Sequence, residues 1–531
     1  MTQWGGGTVG RWSGPIVAAL LAVIVTWWTW GSVNPIPVVS DEQSYVLQSR
    51  IFASGHWTAP SPPIPEAFEQ SHVLVVPAVA SKFPPGHALF LAVGALLGTP
   101  LIASLLITAL TGALLFSLAR RLVNPAVALL TVAIWLSDPI NLRFRPSYFS
   151  ELTTQLLWLA SFWALLEWRA TRKTSWLVAL AAAIGWGAIT RPLTMLAFAV
   201  PIGVIVLLDV ARSGKWRDLA IATAIGIAIL AILPLWSAET TGNWKTNPLT
   251  LYQRQYIPFD HPGFGVDTTT PTRPLNPVNQ ATYAEFYREH ATHTPANLLV
   301  NAWDRLRVVA ISEWSSWRIV LVPFLIVGAF TMAPSLWFAL ACSIALFVAY
   351  LSYGHFSEWT LYYFEGLPIL SLIAAVGIWQ CRVWLTFAVA RRVVRRMLEA
   401  AKQDAHLPAT GIGSRSLAAL LLVPATLVVV EAGRARERHL ADARYYTEFN
   451  QLLDALPKNP TVIFVHYTPK LQPHPNIVWN SPHLADEPVW VVNDLGARDS
   501  DLMRVAGPRV PLNFYEDGRR FELARDLLKR R

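Results

Sequence analysis

Residues 14–57 read GPIVAALLAVIVTWWTWGSVNPIPVVSDEQSYVLQSRIFASGHW. The stretch opens with an apolar run long enough to span a bilayer, closed by tryptophans of the kind that gather at membrane interfaces. It follows Arg11, and no small-residue cleavage site comes after it, so it reads as an uncleaved signal-anchor helix. Just beyond it stand two adjacent carboxylates, Asp41 and Glu42. Charge placed at such a boundary needs a reason, and the rest of the chain supplies candidates.

Only 15% of the 531 residues are charged and 53% are hydrophobic. Soluble domains carry about 25% charge, so this composition excludes an ordinary soluble protein. The net charge of +9 sits in short gaps between apolar runs, which assigns it to membrane topology and not to nucleic acid. Two cysteines, Cys342 and Cys381, lie in or beside apolar runs and exclude a disulfide framework.

Apolar runs begin near residues 14, 100, 124, 151, 175, 193, 218, 318, 335, 361 and 415. They predict an all-α polytopic membrane protein of about eleven transmembrane helices. Basic residues cluster at 119–125, 167–175, 209–218 and 380–402, in every second gap, which makes those gaps and the N-terminus cytoplasmic. The alternate segments, 32–99, 137–150, 190–192, 237–317, 354–360 and everything after about 432, then face outward. The short apolar stretch 86–98 would break this charge bias if it spanned, and is read as a helix lying along the outer face. There is no internal repeat or low-complexity tract.

Three units follow: residues 1–380 as the membrane module with outer loops 32–99 and 237–317; 381–431 as a basic cytoplasmic segment lying on anionic headgroups, with the last transmembrane helix; and 432–531 as a small extracytoplasmic α/β domain. In the last, RARERHLADARYYTEFNQLLDALPK reads as a helix, TVIFVHY and EPVWVVND as buried strands, and RRFELARDLLKRR as a final helix.

Several cations break the positive-inside pattern. Arg143 and Arg145 lie in the outward loop 137–151, Arg191 in AITRPLTM, and Lys82 and His87 in SKFPPGHALF. Gathered on one face they call for an anionic partner, and at a lipid surface that partner is a phosphate. A carboxylate beside fixed cations suits glycosyl transfer from a lipid-linked phosphosugar. The phosphate leaves as a stable anion met by positive charge, while the acceptor hydroxyl needs one base. One base without a covalent intermediate gives inversion.

SDEQSYVLQSRIFASGHW, KFPPGHALFLAVGALLG, RFRPSYFSEL and TRPLT, in that order, resemble the polyprenyl-phosphate-sugar-dependent glycosyltransferases of the GT-C superfamily. The likeness is to the protein O-mannosyltransferase and lipid A aminoarabinose transferase group and the bacterial envelope-glycan branch, over roughly residues 10 to 380. It implies a base at Asp41, with Glu42 beside it, and a donor phosphate near Lys82, Pro84 and Pro85. It also implies His355, Tyr362 or Tyr363, in SYGHFSEWTLYYFEGLP, near the lipid phosphate. KFPPGH departs from the mannosyltransferase form of that motif, so sugar and acceptor do not carry over.

Each assignment has a structural alternative. Asp41 and Glu42 could cap a helix; Lys82 could snorkel; Arg145 and Arg191 could pair with Glu151 or Asp138; Glu151 could simply favour a helix N-terminus. Glu151, His87, Tyr256 and Asp260 are candidate sugar or acceptor contacts. His87 could join His72 or Glu69 at a metal, but no ligand spacing supports it, so no cofactor is assigned and a divalent cation is left open. The loop 237–317 would form an acceptor-side lid. The partners are then a polyprenyl-phosphate sugar, a glycan, lipid or protein acceptor, and membrane lipids, at the cytoplasmic membrane. A lipid-linked glycan transporter or flippase and a non-catalytic envelope assembly protein are the rival functions. The first is disfavoured because charge gathers at one face and not at the bilayer midplane.

Overall fold

The computed structural model describes residues 8–32, 34–401, 414–471 and 473–529. Part of the basic segment, 402–413, lies outside the described residues. Helix α1 (Thr8–Trp30) is followed by α2 (Ser40–Ala53), by strands β1 (Ala59–Pro60), β2 (Val73–Leu74) and β3 (Ala78–Ser81), and by α3 (Gly86–Leu96). Then come α4 (Pro100–Leu122), α5 (Pro125–Leu136), α6 (Pro139–Phe144), α7 (Glu151–Thr171), α8 (Thr174–Ala188) and α9 (Pro192–Ser213). Helices α10 (Trp216–Leu230), α11 (Ile232–Thr241), α12 (Pro248–Tyr256), α13 (Pro277–Thr292) and α14 (Leu298–Trp314) lead to α15 (Val322–Thr331) and α16 (Pro334–Tyr350). The long helices α17 (Pro368–Ala401) and α18 (Ser414–Asp454) complete the helical part.

A helix stands on each of the eleven apolar runs, the one foreseen near 361 starting at Pro368 after a 3-10 turn. Among the described residues, five helices are long and apolar enough to cross a membrane. They become six if the bent pair 295–314 and 317–331, which turns through 92°, counts as one span. The chain is a multi-pass membrane protein. α3 is too short to span and packs on α2 and α4, with apolar Val93, Leu96 and Leu97 exposed.

Local sequence fixes where many helices begin. Thr99, Asn124, Asp138, Asn247 and Asn276 each precede a proline, and each side chain accepts a backbone N–H of its helix's first turn. Proline loses nothing there, because the first-turn donors have no intrahelical partner. Between helices, small residues permit close approach. α15 and α17 meet through Gly328 and Gly377, where an added Cβ would lie 1.9 Å from Ile373 O and 1.8 Å from Phe324 O.

At one end of the bundle, Arg121 of α4 pairs with Glu167 of α7, and Arg169 Nε lies 2.9 Å from Asp209 Oδ2 of α9. These are the basic gaps of the sequence. At the other end the start of α7, the start of α9 and the end of α16 converge with α2.

The C-terminal unit is α/β. Strands β4 (Thr461–His466), β5 (Val489–Asn493), β6 (Val510–Tyr515) and β7 (Arg520–Leu523) form a sheet ordered β5-β4-β6-β7. The first three are parallel (Thr461 opposite Val489 and Val510) and β7 is antiparallel to β6. β4 is buried on both faces, hence its unbroken apolar run. Ile463 and Val465 pack with Phe449 of α18, while Val462 and Phe464 pack with Phe68 of the first long loop and with α19 (Asp499–Val505). RRFELARDLLKRR is not one helix: Arg520–Leu523 is an edge strand, and among its described residues only Arg525–Lys529 (α20) is helical. Pairing with the open edge of β6 overrides local helical preference.

Candidate functional site

SDEQSYVLQS folds as α2, whose polar face is buried. Ser44 Oγ donates to His72 O (2.8 Å), Gln48 Oε1 accepts from Ser81 N (3.0 Å), and Asn476 of the C-terminal unit exchanges hydrogen bonds with Gln43. Those polar residues tie the loop 54–85 and the C-terminal unit to one helix.

The acid pair is split. Glu42 is 4% exposed; its carboxylate accepts from Tyr148 N at 2.9 Å and from Val38 N and Val39 N at 3.3 Å. Burial, only partly offset by those donors, pushes it up to about 7. Asp41 instead keeps 33% of its side chain open and faces a cavity of about 1480 Å³. Its Oδ2 lies 3.1 Å from His72 Nδ1. Burial opposes its ionisation, but His72 and then Lys82 outweigh burial and hold the carboxyl below its ordinary value.

Lys82 lines the same cavity. Its Nζ lies 3.7 Å from Asp260 Oδ2 and 4.9 Å from the centre of the Tyr252 ring. Asp260 in turn accepts from Tyr353 Oη. Arg191, at the start of α9, pairs with Glu151 at the start of α7, approaches Glu365 Oε1 at 3.2 Å and donates to Tyr350 Oη at 2.8 Å. Tyr362 lines the cavity with its ring centre 5.7 Å from the Arg191 guanidinium. Asp41, Lys82, Arg191, Glu151, Asp260 and Tyr362 therefore share one cavity.

Other expected residues lie around it. His355 and Tyr363 form a layer behind Tyr362: Tyr363 Oη is 3.1 Å from His355 Nε2, and the His355 and Tyr362 rings are 4.5 Å apart. Burial, then Arg305, push His355 down to about 3 and keep it neutral. His87 is fully buried between Thr153 Oγ1 and Tyr148 O, both at 2.8 Å, and stays away from His72 and Glu69. Tyr256 donates to Glu69 at 3.1 Å and does not reach the cavity. Arg145, expected at a phosphate, is a core residue: it donates to Asn141 Oδ1 at 2.6 Å and to Gln155, and stacks 4.2 Å from the Trp135 ring centre. Asp138 caps α6 at Asn141 N. No group of three His, Cys, Asp or Glu side chains is placed to hold a metal among the described residues.

Sequence reasoning missed the part that three residues play: His72, weighed there only as a metal partner of His87, and Glu365 and Arg305. His72 carries a φ of +65°, a conformation costly for a non-glycine residue and concentrated at functional sites. Glu365 sits inside the quoted YYFEG motif. Arg305 donates to the carbonyls of Tyr350 (2.8 Å), Tyr353 (3.0 Å) and His355 (3.0 Å), fixing the tyrosine-rich turn; nothing in DRLR hints at burial.

Residues 82–237 match the dolichyl-phosphate-mannose-protein mannosyltransferase family. The fold is similar to that of ArnT from Cupriavidus metallidurans bound to undecaprenyl phosphate, with 17% identity, a TM-score of 0.58, and 97% of this chain and 94% of that chain covered. The same protein in its apo state gives 16% identity and a TM-score of 0.53 over the same shares. No curated protein sequence matches the chain. The chain is thus similar to that mannosyltransferase family over residues 82–237 and shares the ArnT fold over nearly its whole length.

Proposed function

We propose that the protein moves a sugar from a polyprenyl-phosphate donor to an acceptor hydroxyl, with inversion at the anomeric carbon. The observation that carries this reading is a single cavity lined by an accessible carboxylate, Asp41, and two fixed cations, Lys82 and Arg191. The acceptor oxygen attacks the anomeric carbon as its proton passes to Asp41. The bond from that carbon to the phosphate oxygen breaks, and polyprenyl phosphate leaves with its charge met by Lys82 and Arg191. Both cations are already positioned by carboxylates, Lys82 by Asp260 and Arg191 by Glu151 and Glu365, so little reorganisation accompanies the charge shift. Tyr362 and the layer of His355 and Tyr363 give the donor side its wall. In this reading the active end faces outward from the cytoplasmic membrane, the N-terminus is cytoplasmic and the C-terminal unit is extracytoplasmic.

The test uses purified full-length protein in nanodiscs with a panel of labelled polyprenyl-phosphate sugars. Wild type should release polyprenyl phosphate and form an inverted glycoside, and Asp41→Asn should do neither while still binding polyprenyl phosphate. Release that persists in Asp41→Asn, or a product with retained configuration, would overturn the assignment of the base.

A further inference from the structure

Asp41 and His72 come from different segments, and the C-terminal unit holds both. Asn493 closes the apolar strand β5 and is 2% exposed. Its Nδ2 donates to Ala67 O at 3.3 Å and to Glu69 O at 2.8 Å, and its Oδ1 is buried with no hydrogen-bond partner among the described residues. A buried amide costs stability unless it is bonded, so the two loop carbonyls are what an asparagine serves here. Phe68, between those carbonyls, enters the core of the C-terminal unit, its ring centre 5.5 Å from that of Trp490. The chain has no slack from there to His72. Glu69 Oε1 takes Arg273 Nε at 2.7 Å, and Ser71 Oγ donates to Asn279 Oδ1 at 2.8 Å.

A second asparagine takes the helix that carries Asp41. Asn476 Nδ2 donates to Gln43 Oε1 at 2.7 Å, and Gln43 Nε2 donates back to Asn476 O at 3.1 Å. Gln43 is 1% exposed and stands two residues after Asp41 on α2. Paired bonds of opposite sense fix both distance and orientation, because each is directional. The two grips are themselves joined. Asn480 Nδ2 donates to Val491 O at 2.7 Å and its Oδ1 accepts from Val491 N at 2.9 Å, which ties the Asn476 segment to the strand that ends in Asn493.

We infer that the C-terminal unit sets the spacing between Asp41 and His72, with Asn493 and Asn476 as positioning residues for the base. Asn493 acts on the loop that carries His72, and Asn476 acts on α2. The role as base rests on the glycosyl-transfer reading above. Asn493 does not line the cavity, so its effect on transfer passes through the loop. A misplacement of about 1 Å at a reacting group is enough to lower a rate about a hundredfold.

The test uses full-length protein in nanodiscs and the labelled polyprenyl-phosphate sugars of the panel above. Asn493→Ala should slow single-turnover release of polyprenyl phosphate about tenfold to a hundredfold, with the affinity for polyprenyl phosphate unchanged. In an Asp41→Asn background the same change should cost nothing further, because no base is left to misplace. Asn476→Ala should show the same pattern, and it carries the test if Asn493→Ala does not fold. Hydrogen exchange over residues 67–72 should quicken in Asn493→Ala and stay at the wild-type rate in Asn476→Ala. Unchanged turnover in the folded variants, or an equal loss with and without Asp41, would overturn the inference. So would unchanged exchange over 67–72 in Asn493→Ala. Wild type that releases polyprenyl phosphate from no donor would strike the glycosyl-transfer reading instead, and the exchange measurement would still decide whether Asn493 holds the loop.

Discussion

His72 Nδ1 lies 3.1 Å from Asp41 Oδ2, and His72 is held there with a left-handed backbone whose N–H and C=O are both engaged. Tyr252 Oη accepts from its N–H at 2.9 Å, while Ser44 Oγ and Lys82 N donate to its carbonyl. The strained residue that orients Asp41 is thereby locked to α2, to Lys82 just after β3, and to α12 at once.

Asp41→Asn should lower the turnover of transfer by about a hundredfold to ten-thousandfold, the usual worth of a general base. The amide keeps the shape of the carboxylate, so the affinity for polyprenyl phosphate should stay close to wild type. Single-turnover transfer alongside equilibrium binding separates the two.

His72→Phe should act through pH. Asp41 is held below its ordinary pKa by His72 and Lys82 against burial, so its carboxylate persists as pH falls. The stability this contributes is present above the ordinary aspartate range and is lost only as pH drops through the lowered value. Without His72 the acidic limb of kcat/KM should move to higher pH, and a pH–rate profile reads it. An unmoved limb would deny His72 that role.

Arg191→Met should both remove donor affinity and destabilise the fold. It leaves Glu151 and Glu365, both fully buried, without their cation, a change of about 3–5 kcal/mol when a buried pair is broken. The triple change Arg191→Met/Glu151→Gln/Glu365→Gln should recover most of the stability and none of the donor binding. Thermal unfolding in detergent and polyprenyl phosphate titration report the two effects separately.

Glu42→Gln and Glu42→Ala should part company. The amide oxygen can still accept from Tyr148 N, whereas alanine leaves buried N–H groups unpaired at a cost of about 1–3 kcal/mol. Because burial raises Glu42 to about 7, folding favours its protonated form. Its contribution is complete below the ordinary glutamate pKa and is lost as pH rises through about 7. Glu42→Gln should flatten the fall in unfolding temperature across that window and keep transfer activity.

Arg145→Met should leave polyprenyl phosphate affinity unchanged while lowering stability by about 1–3 kcal/mol, because Asn141 and Gln155 lose their donor. A loss of donor binding would return Arg145 to the site.

The apolar runs, the proline-led helix starts and the basic gaps at one end were legible from residue order, since each depends on local composition or on a cap within a few positions. So was the gathering of Asp41, Lys82 and Arg191 at one end of the bundle. Which acid of the pair faces the cavity was not legible, because adjacent residues on a helix point about 100° apart and only the packing of α2 against Tyr148 turns Glu42 inward. Arg145 and Arg191 look alike in sequence, each an arginine near a proline at a helix boundary. One is absorbed by Trp135 and Gln155, the other is left at the cavity wall.

The sequence by itself determined a multi-pass helical protein with a polar, chemically equipped end and an α/β tail, because hydropathy and charge are properties of segments. Only the tertiary structure decided that His72 stands beside Asp41, that Arg305 fixes the tyrosine turn 45 residues or more away from it, and that the tail reaches back to Gln43. Those pairings join residues far apart in the chain. No local preference specifies them; they exist because buried polar groups must find partners when the segments pack.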